Sequence, residues 1–249
     1  MSGHSKWANI KHRKAAQDAK RGNLFQKLVR TIIVAAKEGG GDPAMNMRLK
    51  TAIEKAKAVS VPADNITKAI KRGTGEIEGV SYEEITYEAY GPSGTALLID
   101  IMTDNRNRTA PEIRALLSRN SGTPGEPGSV GWMFERKGVI QVKGKELDED
   151  SLMTCGLDAG MDDLVRSSDG FTLYCDSSAL NDLAAALKQN GYLVENADVE
   201  MVAKTTINLD NLESAQKVLK LVDVLEEHDD VQNVWSNFDI SDEIMEKIE

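Results

Sequence analysis

Residues 164–175 read LVRSSDGFTLYC, two apolar runs separated by a short polar turn. Leu164–Ser167 and Phe171–Cys175 have the composition of strands. Ser168-Asp169-Gly170 supplies an Asp-Gly step, which accepts the positive φ angles of a tight hairpin turn. The stretch therefore predicts a β-hairpin in the middle of an α+β unit.

The segments around this hairpin complete that unit. A strand at Val139–Val142 and a helix from Leu147 to about Gly160 precede it, and a helix at Ser178–Gln189 and a strand at Ala197–Val202 follow it. The order is β-α-β-β-α-β, the split βαβ pattern of ferredoxin-like folds.

A second α+β unit is predicted on both sides of the first. The elements before it are a strand at Thr95–Thr103, a helix at 109–120 with Thr109 as cap and Glu112 as capping-box partner, and a strand at Val130–Phe134. Those after it are a strand at Thr205–Leu209, a helix at Asn211–Glu226 and a strand at Val231–Asn237. We predict an outer domain of residues 80–135 plus 204–240 with residues 138–203 inserted; a linear three-domain order is the alternative.

Residues 1–75 are predicted to form a basic helical domain. Apolar residues recur at helical spacing in Asn23–Lys37 and Asn46–Val59, and a third helix follows Pro62 and closes at Gly73. Residues 1 to about 19 have little to bury, so we expect a mobile arm there. The fold class is thus α+β and multidomain, with an N-terminal three-helix bundle followed by two α+β domains of ferredoxin-like order (β-α-β-β-α-β), one inserted in the other.

Charge is divided sharply along the chain. Residues 1–72 carry 16 Lys and Arg against 5 Asp and Glu, whereas the remaining 177 residues carry 14 against 35. Clustered cations gain affinity for nucleic acid by releasing condensed counterions from phosphates. The chain as a whole has a net charge of −10, so its basic N-terminal end stands out and indicates a nucleic-acid partner. The alternative is a solvated basic face without a partner.

Two segments carry candidate binding residues. The first is the N-terminal basic stretch, where Trp7 and His12 could stack on bases or Trp7 could pack on the bundle. The second is Asp104–Arg108. Its two Arg stand at the start of a predicted helix and could contact nucleic acid; the alternative is a loop in which the Asp and Asn side chains stabilise a turn. The candidate nucleic-acid contacts are Lys6, Trp7, Lys11, His12, Arg13, Lys14, Lys20, Arg21, Lys27, Arg30, Arg106 and Arg108.

Other functions find little support in the residues. No convergent titratable cluster indicates an enzyme, and no motif indicates a cofactor or a small-molecule substrate. His228 stands in the acidic run Glu226–Asp230, which we interpret as a solvated turn and not a metal site. Two cysteines and the absence of a long apolar span favour a cytoplasmic protein without a membrane partner.

The motifs along the chain resemble those of the YebC family, which includes mitochondrial translational activators of cytochrome c oxidase. The matching segments are Gly3–Trp7, Lys11–Lys14, Asp18, Arg21, Phe25, Lys27, Gly39–Pro43, Asp64–Ile66, Tyr87–Pro92, Asp104–Thr109 and Gly128–Val130.

This resemblance implies a cytoplasmic, three-domain protein that is not an enzyme. Bacterial members are customarily labelled DNA-binding transcriptional regulators, whereas mitochondrial members act in translation. Bacterial members have also been linked to ribosomes and to synthesis of proline-rich stretches. We expect a nucleic-acid-binding regulator of gene expression, with DNA and ribosomal RNA as the open alternatives.

Overall fold

A computed structural model describes residues 18–144, 146–167 and 169–248. Three helices form the N-terminal bundle, as the apolar spacing predicts. Ile32, Leu49 and Ala69 are among the residues that build its core, because each lies on the apolar side of its own helix. The helices are α1 (Asp18–Gly39), α2 (Met47–Ala58) and α3 (Ala63–Gly73).

Asn46 joins the first two helices of the bundle. Its side-chain Oδ1 accepts the Leu49 N–H at 3.0 Å, while its Nδ2 donates to the carbonyl oxygens of Ala35 and Gly40 at 2.7 and 2.9 Å. One buried amide thus caps the start of α2 and satisfies carbonyls at the end of α1.

The first sheet belongs to the outer domain and has the strand order β3-β1-β2-β9. Helices α4 and α7 supply the core against one of its faces, with Ile99, Ile113 and Val222 among the members. Leu98 and Trp235 face a second cluster, so β2 is buried on both sides. The elements are β1 (Glu83–Tyr90), β2 (Ala96–Thr103), α4 (Arg106–Arg119), β3 (Thr123–Pro124), α7 (Leu212–Glu227) and β9 (Val231–Ser236).

The second sheet lies between β3 and α7 in the chain and has the order β5-β6-β4-β7. All three strand pairs are antiparallel, and β4 lies in the middle with Val139 opposite both Tyr174 and Asp198. The hairpin predicted from residues 164–175 is formed by β5 and β6. The elements are β4 (Phe134–Lys143), α5 (Glu149–Asp158), β5 (Met161–Ser167), β6 (Gly170–Asp176), α6 (Leu180–Gln189) and β7 (Leu193–Ala203).

A short parallel pair completes the outer domain. β8 (Ile207–Leu209) pairs with β10 (Phe238–Ile240), and α8 (Asp242–Ile248) follows. Phe238 and Ile240 are buried in the core of the outer domain. The chain therefore returns to the first sheet after leaving the second, which is the inserted, multidomain α+β fold predicted.

Two local predictions are wrong. Val130–Phe134 is a 3₁₀ turn (Gly131–Met133) followed by the start of β4, because the N–H groups of Gly128, Val130 and Gly131 donate to the Glu88 carboxylate and not to a neighbouring strand. Helix α4 begins at Arg106, and Asn105 is its cap. Thr109 therefore lies within the helix, where it is buried.

Candidate nucleic-acid interface

The candidate residues fall into two groups. Lys27, Arg30, Arg106 and Arg108 have described side chains. The other candidates lie outside the described part of the chain: the side chains of Lys20 and Arg21, and the whole of residues Lys6, Trp7, Lys11, His12, Arg13 and Lys14. The contacts of the first group show which of these cations are already paired within the protein.

Lys27 and Arg30 contact the C-terminal end of α7. Lys27 Nζ donates to the Glu226 carbonyl oxygen at 2.6 Å, Asn23 Nδ2 donates to the Glu227 carbonyl at 2.9 Å, and Arg30 donates to the Asp229 carbonyl. The last carbonyls of a helix lack intrahelical partners and carry partial negative charge. The last turn of α7 contains no basic residue, so α1 supplies the cations that stabilise it.

Asp230 is the centre of this junction. Its side chain is 2% exposed, and its carboxylate accepts from Arg108 Nη2 at 2.5 Å, Thr109 Oγ1 at 2.7 Å and Thr103 Oγ1 at 3.2 Å. Arg30 Nη1 stands 3.4 Å from its other oxygen. Burial alone would raise the pKa of Asp230, but the hydrogen bonds and the two guanidinium charges outweigh it and lower the pKa.

Arg108 and Arg106 therefore differ although they are two residues apart. Arg108 also lies 3.1 Å from Asp104 and 4.0 Å from Glu112, and its hydrogen bond to Asp230 raises its pKa. Arg106 is exposed, and no described carboxylate lies within 4 Å of it. Only Arg106 of this pair has its charge available to an outside anion.

Glu112, His228 and Asp230 place one ligand atom each within 4.8 Å of one another. His228 Nδ1 accepts the Asp230 N–H at 3.1 Å, so the other ring nitrogen, Nε2, carries the proton and donates to Glu112 at 3.0 Å. Arg108 and Arg30 already neutralise Asp230. The geometry is that of an ion-pair and hydrogen-bond network. It also corrects our interpretation of Glu226–Asp230 as a solvated turn.

Helix α2 makes two further bridges out of the bundle. Arg48 pairs with Glu84 in β1, and Lys55 pairs with Asp198 in β7. Glu200, two residues along the same face of β7, has its pKa raised to about 7 because burial and the Asp198 charge disfavour its ionised form, against a smaller opposite effect of Lys55. We call Lys27, Arg30, Arg48 and Lys55 the docking cations.

Lys37 is exposed and donates to Ser81 Oγ at 2.7 Å. Five further exposed cations of the bundle have no such side-chain contact within the described residues: Lys50, Lys57, Lys68, Lys71 and Arg72. In residues 18–144, 146–167 and 169–248 no carboxylate lies within 4 Å of any of them. We call these the unpaired cations. Three of them are on α3, where Lys68 and Arg72 are one helical turn apart.

The sequence did not identify the docking role of Lys27 and Arg30. Two signals for it were present: an acidic run directly after the amphipathic stretch at 212–227, and polar residues directly after the buried strand that ends at Thr103. Neither specifies a partner, because the interaction joins residues about 200 positions apart.

No helix of the described part is long and apolar enough to cross a membrane.

The comparisons with known proteins cover nearly all of the chain. The model for "TACO1/YebC protein N-terminal domain" matches residues 5–76, and that for "TACO1/YebC second and third domain" matches residues 82–238.

Relatives and a solved structure agree with these matches. A probable transcriptional regulatory protein of Halothermothrix orenii is 54% identical over 100% of this chain and 99% of its own length. One of Geobacter sulfurreducens is 51% identical over the full length of both. The crystal structure of a conserved hypothetical protein from Aquifex aeolicus superimposes with a TM-score of 0.82 at 42% identity, covering 92% of this chain and 94% of that one. The chain therefore belongs to the YebC family.

Proposed function

We propose that the protein is a non-enzymatic, nucleic-acid-binding regulator of gene expression, active in the cytoplasm, and that its N-terminal bundle makes the contact. The division of the bundle's charge carries this proposal. Four docking cations hold the acidic body, whereas the unpaired cations keep their charge exposed. Exposed cations without intramolecular partners are the groups that neutralise phosphates and release counterions.

The sequence-derived contacts belong to the same proposal. Lys6, Trp7, Lys11, His12, Arg13, Lys14, Lys20, Arg21 and Arg106 would extend the basic surface formed by the unpaired cations. Lys27, Arg30 and Arg108 have a different role in this proposal: they position the bundle on the outer domain. The acidic remainder of the chain would repel phosphates and so limit contact to the N-terminal domain and to Arg106 of the outer domain.

Salt dependence tests the proposal. Replacing Lys11, Arg13, Lys14 and Arg21 together by Gln is expected to remove most nucleic-acid binding. It should also flatten the dependence of log K on log salt, because each lost phosphate contact removes about 0.7–0.9 from the slope. Fluorescence anisotropy with a labelled oligonucleotide between about 50 and 200 mM salt measures both. Unchanged affinity and slope would refute the basic-arm part of the proposal.

A ribosome-associated translation factor that binds rRNA and assists synthesis of proline-rich stretches is the second candidate. One observation favours it: α2 and α3 each pack chiefly on α1 and touch each other little. A DNA-reading helix-turn-helix relies on a closely packed helix pair that presents its second helix to the major groove. A basic bundle without that pair suits recognition of RNA by shape and phosphates.

Ribosome co-sedimentation from lysate, set beside binding to random and promoter DNA at matched salt, separates the two candidates. Strong binding to a defined promoter without ribosome association would support the transcriptional regulator. Ribosome association with equal, weak binding to both DNAs would support the translation factor.

A further inference from the structure

A cavity of about 370 Å³ opens on the bundle between α1 and α3. Val29, Ile33 and Ala69 give it an apolar floor, and Phe25 and Tyr82 contribute aromatic rings to its wall. The volume falls within the range of small-ligand sites, which combine an apolar interior with a few polar groups at fixed positions.

The rim of this cavity is positively charged. Lys68 and Arg72 line it from α3, and both belong to the unpaired cations. Arg72 lies against Gly79, where a Cβ would stand 3.3 Å from the Arg72 Cγ and Cδ atoms. The bare backbone at Gly79 therefore lets the Arg72 stem lie along the chain beside the cavity.

The aromatic wall is held in place by the docking junction. Arg30 Cζ stands 5.6 Å from the centroid of the Tyr82 ring, within the range of a cation–π contact. The same guanidinium is fixed on its other side by the Asp229 carbonyl and by Asp230. Lys37 Nζ also contacts the Tyr82 carbonyl oxygen at 3.5 Å, so both the ring and the backbone of Tyr82 are anchored.

We propose that this cavity binds one unpaired nucleotide of a single-stranded nucleic acid, with the base against Tyr82 and its phosphate on Lys68 and Arg72. The inference rests on the proposed function and names its site. An apolar ligand would leave the two cations of the rim without a partner, and a peptide would need an aromatic and an acidic side chain at matching positions. A nucleotide carries both groups in one molecule: a flat base for the aromatic wall and a phosphate for the two cations.

The cavity also predicts a preference between strands. A base inside a duplex is stacked and paired, and extruding it costs a few kcal/mol. Bases of single strands, loops and bulges are already available for stacking on aromatic side chains. The protein should therefore bind a single strand more tightly than a duplex of equal charge.

Fluorescence anisotropy with three labelled ligands tests this: a single-stranded RNA 12-mer, an abasic strand with the same phosphates, and a short duplex with the same total number of phosphates. We expect wild type to prefer the base-containing strand over the abasic one by about tenfold, as one stacked base provides. Tyr82→Leu should lower that preference severalfold; a preference equal to that of wild type would assign the stacking to Trp7 or His12 and overturn the cavity assignment. The double variant K68Q/R72Q should weaken single-strand binding by about tenfold.

The double variant K50Q/K57Q is the matched control, because it removes two charges of α2 that do not line the cavity. This control should weaken the binding of all three ligands by one common factor, smaller than the tenfold loss expected for K68Q/R72Q, and should leave the preference for the base-containing strand unchanged. Thermal denaturation of Tyr82→Leu confirms that the variant is folded, and photo-cross-linking of 4-thiouridine RNA to the peptide that contains Tyr82 gives a second readout in wild type.

The outcomes separate the inference from the function on which it rests. Wild type that binds all three ligands equally, or a K68Q/R72Q effect no larger than that of K50Q/K57Q, overturns the cavity assignment and leaves the proposed function standing. Wild type that binds none of the ligands at low salt overturns both.

Discussion

The cations of the bundle form two populations with opposite surroundings. The docking cations lie against the outer and inserted domains, where Arg30 is only 14% exposed beside a carboxylate that is 2% exposed. The unpaired cations lie on α2 and α3 and face solvent. The two populations have the same residue types and similar spacing, so tertiary contacts alone separate a structural charge from one available to a ligand.

The loss of a cation should cost different amounts of stability in the two populations. Removing one partner of a buried ion pair leaves an uncompensated charge and costs several kcal/mol. Removing an exposed charge without a partner costs almost nothing. Stability measurements can therefore separate Arg30 and its buried partner Asp230 from the unpaired cations without a binding assay. Arg48 and Lys55 form surface pairs, so their removal should cost little.

Asp230→Ala should have the largest effect. The substitution leaves Arg108, Arg30, Thr103 and Thr109 without their common acceptor, so we expect a loss of about 3 kcal/mol in the free energy of unfolding. Chemical denaturation followed by circular dichroism measures it. Asp229→Asn is the control, because the Asp229 contact to Arg30 uses the backbone carbonyl and should survive. Equal losses in both variants would contradict the role of the Asp230 carboxylate.

Glu200 should give an intermediate effect that depends on pH. Its folded-state pKa of about 7 lies above the ordinary value of 4.5. The stability that it contributes is therefore fully present below about 4.5 and is lost as the pH rises through 7, to a total of at most about 3 kcal/mol, which solvent screening of this partly buried side chain reduces. Asp198 and Lys55 perturb this pKa, and Lys137 is opposite Glu200 in β4.

Glu200→Gln should remove this part of the pH dependence and make the protein more stable than wild type at pH 8. Thermal unfolding midpoints between pH 5 and 8 are the measurement. Glu195→Gln is the control, since Glu195 lies on the same strand and pairs with Lys143 at the surface. A Glu200→Gln curve parallel to that of wild type would show that the carboxyl titrates normally.

The triple variant K68Q/K71Q/R72Q should have the smallest effect on stability, within about 0.5 kcal/mol of wild type. A slight gain is expected, because Lys68 repels both Lys71 and Arg72 along α3. The same variant should lose nucleic-acid affinity under the proposed function. A large loss of stability in chemical denaturation would move these residues into the docking population and remove the distinction between the two.

Local sequence patterns predicted most of the fold. The three helices of the bundle, the hairpin of β5 and β6, and the buried strand β2 follow from periodicity and turn chemistry within about fifteen residues. The errors at Val130–Phe134 and at Thr109 have different causes. At Val130–Phe134 the Glu88 carboxylate accepts the backbone N–H groups that a strand would have paired. At Thr109 the helix already begins at Arg106, because the Asn105 side chain accepts the Arg108 N–H and caps the helix earlier.

The candidate site was predicted less completely. The charge division along the chain showed that the bundle is basic and predicted a nucleic-acid partner for it, but sequence reasoning grouped Lys27, Arg30 and Arg108 with cations that have no intramolecular partner. The cavity at Tyr82 gave no sequence signal, because its lining comes from α1, α3 and the segment that precedes β1. None of these segments carries a nucleotide-binding motif of its own.

The sequence by itself determined most of the helices and strands and which end of the chain is basic. These properties depend on neighbouring residues: apolar spacing, caps, turns and net charge. Only the tertiary structure decided which cations are neutralised and which remain exposed. That outcome depends on where α7 ends and where Asp230 and Asp198 come to lie, and the interactions there join residues that are more than 140 positions apart.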